Sequence, residues 1–145
     1  MKYLVHKDFT ESLSKLSNKG FNYSGPFNQA LQSYLKACEY QPEKEVFAGL
    51  KVTNHGEKRI KHAIKFDLGR ACRLVIIKHK DMCHFLYAGV HKDVEKWLDQ
   101  HRGFKTVIGT STGLIDVLHR TDDNPEQTPQ VNQNINSINL YDQLN

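Results

Sequence analysis

The chain has 145 residues, 39% of them hydrophobic, and a mean hydropathy of −0.59, which gives room for one domain with a real core. No apolar run approaches the ~20 residues that cross a bilayer, and the opening MKYLVHKDF lacks the apolar stretch of a signal peptide, so a cytoplasmic protein without a membrane partner is expected. The net charge of +4 conceals an asymmetry: residues 121–145 carry Asp122, Asp123, Glu126 and Asp142 and no Lys or Arg, which leaves the first 120 residues at +8.

Within that basic portion, residues 51–80 hold nine Lys and Arg against Glu57 and Asp67. Such a strip suits a polyanion, most simply nucleic acid, although a solvated lysine-rich surface has the same composition.

In chain order, Lys2 to Val5 reads as a first strand. Asp8 and Glu11 form a capping box, and Phe9, Leu13 and Leu16 follow on one face, so a helix is expected up to Gly20. Gly25-Pro26 opens a second helix whose Phe27, Ala30, Leu31, Tyr34, Leu35 and Cys38 fall at helical spacing, and Gln41-Pro42 ends it. Lys44 to Gly56 reads mostly as loop. Ile60 to Leu68 alternates, with Ile60, His62, Ile64, Phe66 and Leu68 on one face and Arg59, Lys61, Ala63, Lys65 and Asp67 on the other. On this face His62 reads as a hydrogen-bonded core histidine, with a place flanking a functional site as the alternative.

RLVIIKH from Arg73 is a β-branched strand, Lys80-Asp81 a turn, and Cys83 to Val90 the next strand. Asp93 to about His101 then follows helical spacing, with His91 and Lys92 on the strand–helix joint, and Gly103 stops it. FKTVIG adds a strand and STGLIDVLH a short helix. From Thr121 the chain is rich in Asn, Gln, Asp and Pro and reads as a disordered acidic tail, so residues 1–120 form the domain. The expected fold class is α+β, with two N-terminal helices packed on a small, mainly antiparallel twisted sheet, then a C-terminal helix and the tail.

Cys38, Cys72 and Cys83 lack a framework spacing, so no disulfide is expected. A zinc site from His79, Cys83 and His84 would draw ligands from both faces of one strand and has no Cys-x-x-Cys pair. The expectation is therefore no metal and no cofactor, and His79 and His84 read as unrelated to chemistry.

The segment ACRLVIIK followed by FLYAGVHKDVEKWL, in this element order, resembles the RelE/ParE superfamily of bacterial toxins over roughly residues 1–102. The resemblance implies the toxin of a toxin–antitoxin system, a metal-independent endoribonuclease acting on mRNA, on or off the ribosome, with a cognate antitoxin as partner. In such an enzyme a ribose 2′-hydroxyl attacks its own 3′-phosphate, which requires a cation, a base and an acid. Arg73 matches the arginine that holds the scissile phosphate. His91 matches the His or Arg after the last core strand, a charge stabiliser or proton-transfer group. Arg59, Lys61, Lys65 and Lys92 are the expected RNA contacts.

Two positions depart from the family pattern. Trp97 stands where nucleases of the family commonly have a tyrosine; it either stacks on a base or fills the core, and an indole cannot exchange a proton. Cys72 replaces an aromatic before the arginine. The alternative is a noncatalytic relative that inhibits an enzyme such as DNA gyrase, or a nucleic-acid-binding module associated with a helicase. In that case Arg73 is an ion-pair partner of a residue such as Asp67 or Asp93.

Overall fold

The computed structural model describes residues 1–106. Five strands, β1 (Lys2–Val5), β2 (Lys51–Val52), β3 (Ala63–Gly69), β4 (Cys72–His79) and β5 (Met82–Val90), form one sheet in the order β1-β5-β4-β3-β2. Every pairing is antiparallel except β1 with β5. Helices α1 (Lys7–Ser17), α2 (Ser24–Cys38), the single-turn α3 (Glu43–Val46) and α4 (His91–Gln100) complete the α+β fold. No helix among the described residues is long and apolar enough to cross a membrane.

The alternation of strand side chains builds two cores, one on each face of the sheet. Cys72, Leu74 and Ile76 of β4 join Phe9, Leu13, Phe27, Leu31 and Tyr34 under α1 and α2. Val75 and Ile77 face the other way and meet Val94, Trp97 and Leu98 of α4. The register between β4 and β5 slips by one residue, from Val75↔Tyr87 to Ile76↔Phe85, so Leu86 is a bulge. Leu86 and Tyr87 thereby both meet the α4 core. Burying each Leu or Phe of these cores contributes about 1.5–3 kcal/mol, so α4 is an integral layer of the fold.

Several local expectations change. The cap of α1 is His6, whose Nδ1 accepts the Asp8 N–H at 2.9 Å; its extended backbone suits the cap position, and the Asp8 carboxylate is left for another partner. The predicted loop over 44–56 contains part of α3 and the short edge strand β2. β3 begins only at Ala63, because His62 adopts φ 66° and breaks the alternation. His62 is consequently exposed and stacks on His79 at 3.9 Å, instead of entering the core. The strand within FKTVIG beyond residue 106, the STGLIDVLH helix, the boundary at 120 and the acidic tail lie outside the described residues.

Candidate functional site

A two-residue turn joins β3 to β4. Arg70 (φ 51°) and Ala71 (φ 58°) are both left-handed, as a type I′ turn requires, although neither is the Gly or Asn that adopts this conformation at low cost. The turn is held from outside: the Ala71 carbonyl accepts the His91 N–H at 2.6 Å. This bond ties the start of α4 to the turn and collects Arg70, Arg73, His91 and Lys92 at one end of the sheet. It also uses one of the free N–H groups that the N-terminus of α4 would otherwise present to an anion.

Arg73 pairs in register with Asp67 on β3 and Gly89 on β5. Its neighbours Cys72 and Leu74 enter the α1–α2 core, so its side chain belongs to the α4 face. There Nη1 donates to Asp67 Oδ1 at 3.2 Å and to the Cys72 carbonyl at 2.9 Å, with 24% of the side chain exposed. Arg70, His91 and Lys92 are exposed beside it. Asp93 is drawn off by Lys15 at 3.3 Å. Burial pushes the Cys72 thiol up, against the pull of Arg73 and Lys19, so Cys72 stays protonated and inert.

No sequence pattern marks Tyr87. Its ring lies over Gly89, where an added Cβ would come within 3.1 Å of the ring, which accounts for glycine opposite Arg73. Burial raises the Tyr87 phenol above its ordinary value, with Asp93, Asp8 and Glu11 adding to the effect and Lys15 opposing it. A protonated hydroxyl-bearing side chain therefore flanks the corner.

The basic strip divides. Arg59 is held by Glu57 (Nε–Oε2 2.9 Å, Nη2–Oε1 2.7 Å), by Glu95 at 2.8 Å and by Asp99 at 3.1 Å. Lys65 lies 3.7 Å from Glu57 and 3.6 Å from Glu95, and only 15% of the Arg59 side chain and 11% of the Lys65 side chain are exposed. Burial alone would raise the Glu57 carboxyl; the Arg59 hydrogen bonds and charge, with Lys65, outweigh it and hold that carboxyl below its usual value. Two of the four expected RNA contacts, Arg59 and Lys65, are thus committed to carboxylates of α4 and of the loop before β3. Lys61 is exposed.

Trp97 is likewise corrected as a stacking platform. It is 5% exposed, with His101 stacked at 3.9 Å and Tyr87 at 5.6 Å, so no ring face is left for a base. Its Nε1–H donates to Asp8 Oδ2 at 2.9 Å.

No family model and no curated protein matches the chain. Among solved structures, a copper-bound mutant toxin from Helicobacter pylori is similar at 20% identity and a TM-score of 0.43, covering 65% of this chain and 98% of that chain. The likeness is weak.

A second group of titratable side chains lies at the far end of α4. His6, Asp8 and His101 place ligand-type atoms within 4.8 Å of one another, with the rings of Trp97 and Phe104 packed on His6. His84 is fully buried beside them, its ring centroid 6.2 Å from that of His6. Its Nδ1 shares a hydrogen with Thr106 Oγ1 at 2.7 Å, while Nε2 has no hydrogen-bond partner among the described residues. Burial, with the His6 charge adding, pushes His84 down to about 3, so it remains neutral. Nothing in the spacing of residues 6, 8, 84 and 101 signals that they meet.

Proposed function

We propose that the chain is a toxin domain of the RelE/ParE type that cuts RNA at the Arg73–His91 corner, and that an antitoxin covers this corner. The observation that carries the reading is the bond from the His91 N–H to the Ala71 carbonyl. Together with the Arg73–Gly89 register, it gathers a guanidinium, an imidazole and two further cations on a joint stiffened by two strands and a helix.

In this reading Arg73 turns from Asp67 to the scissile phosphate and stabilises the charge that develops on its oxygens. His91, exposed and free of a side-chain ion pair among the described residues, moves the proton of the 2′-hydroxyl or of the leaving 5′-oxygen. The Tyr87 phenol is the second proton carrier. Arg70 and Lys92 hold neighbouring phosphates as exposed charges, and exposed Lys61, before the opposite end of β3, holds a more distant one.

A noncatalytic binding protein is the second reading, favoured by the Arg73–Asp67 contact at 3.2 Å, which already gives the arginine a partner. Product chemistry separates the two. Transesterification leaves a 2′,3′-cyclic phosphate and a 5′-hydroxyl, proceeds in EDTA, and fails on RNA with a 2′-deoxy substitution at the cut. Binding without cleavage, alone or with ribosomes, would support the second reading.

A further inference from the structure

We propose that His6, Asp8 and His101 form a binding site for one first-row divalent metal ion of zinc's class, with water completing its coordination. The site joins the β1–α1 junction to the C-terminal end of α4. It lies about 15 Å from His91, the length of a ten-residue helix, and is separate from the proposed RNA corner.

The orientation of His101 points to an ion. Its Nδ1 lies 2.7 Å from the Trp97 carbonyl, which can only accept, so Nδ1 carries the hydrogen and Nε2 turns a lone pair toward Asp8. Nε2 is 3.6 Å from Asp8 Oδ2, and His6 Nδ1 is 3.8 Å from the same oxygen. A His101 Nε2 lone pair facing the Asp8 carboxylate is repelled unless a positive centre, a metal ion or a proton, stands between them, and His6 Nδ1, whose lone pair now accepts the Asp8 N–H, lies within reach of the same oxygen. Ligand atoms around a tetrahedral zinc ion lie about 3.4 Å apart, so small side-chain movements would close the set.

The outer contacts also suit a metal. A histidine ligand commonly donates its other ring N–H to a backbone carbonyl, as His101 does, and a ligand carboxylate is held by a donor of its own, here Trp97 Nε1 at 2.9 Å. His6 is 5% exposed and is packed perpendicular to Trp97 and His101, which fixes its ring. The Asp8 and His101 side chains are 24% and 27% exposed, enough for water to reach the remaining position. Two neutral imidazoles and one carboxylate suit zinc, cobalt, nickel or copper and not magnesium or calcium, whose ligands are all oxygen. An anion is excluded by the carboxylate. Ligation by His6 Nδ1 would exchange its hydrogen bond from the Asp8 N–H for the metal bond, so occupancy would be felt in the first turn of α1.

Trp97 is the single tryptophan of the chain and touches all three ligands, so it reports on the site directly. Cobalt(II) added to the chelator-treated, desalted full-length protein should quench Trp97 emission to saturation at one equivalent. Zinc(II) should displace the cobalt, restore the emission and raise the thermal midpoint. Asp8→Asn and His101→Gln should each weaken cobalt binding at least about tenfold. The double variant His62→Gln, His79→Gln, which removes the stacked pair of exposed His62 and half-buried His79, should titrate like the unaltered protein. Absence of quenching, or equal quenching in H101Q and D8N, would overturn the site. If D8N fails to fold, the H101Q titration decides alone.

Discussion

Arg59→Ala should cost about 3 kcal/mol of stability while changing RNA affinity little, the reverse of what its place in a basic strip suggests. The magnitude follows from what each carboxylate would lose. Glu57 has 2% of its side chain exposed and accepts two Arg59 side-chain bonds at 2.7 and 2.9 Å; without them it becomes a buried charge with Lys65 at 3.7 Å as its remaining cation. Removing one partner of a buried pair costs roughly 3–5 kcal/mol, and Lys65 keeps the loss at the lower end. Glu95 and Asp99, 33% and 55% exposed, rehydrate and add little. Urea unfolding at neutral pH gives the value. The sign with pH is fixed. The folded Glu57 carboxyl titrates below its unfolded value, so the network's contribution is present above the unfolded pKa and is lost as pH falls through the lowered folded one. The gap between Arg59→Ala and the parent should therefore narrow in acid. A loss below about 1 kcal/mol at neutral pH, with RNA binding weakened, would refute this and restore Arg59 as a phosphate ligand.

His84 stays neutral when folded, with its pKa down at about 3, and protonates near 6.5 when unfolded; its stability contribution is therefore complete above 6.5 and falls by about 1.4 kcal/mol for each pH unit below. His84→Gln should flatten that slope in urea titrations between neutrality and pH 5. Trp97→Phe should cost about 2 kcal/mol in the same assay, because the charge-assisted bond to Asp8 is lost. Lys61→Ala, Arg70→Ala and Lys92→Ala should each weaken RNA binding whatever the base sequence and reduce the salt slope by about one unit, measured by fluorescence anisotropy. Lys65→Ala should leave that slope unchanged.

Contiguous patterns were legible in the sequence. The β-branched run from Arg73, the strand ending at Val90 and the spacing of Phe27, Ala30, Leu31 and Tyr34 are local signals, and each lies in the element it suggests. What the sequence hid depends on partners far along the chain. The bond from Trp97 to Asp8 spans 89 residues and takes the carboxylate that the capping-box pattern assigned to the helix end. Arg59 meets Glu95 and Asp99 across 36 and 40 residues, so a strip that looks uniformly cationic is half neutralised. The misplacement of His62 has a backbone cause: one left-handed residue ended an alternation that side-chain chemistry alone could not show to be broken. Arg73 and His91 stand 18 residues apart and meet, with Arg70 and Tyr87, only through the turn and the strand register.

The most direct test compares single-turnover cleavage of one RNA by the parent, Arg73→Ala and His91→Ala, with folding of each variant verified. Arg73→Ala should lose roughly a hundredfold or more in rate, as removal of one well-placed charge-stabilising donor does. His91→Ala should lose a comparable factor and its pH–rate profile should lose one limb if the imidazole moves a proton. Full activity in Arg73→Ala would contradict the account.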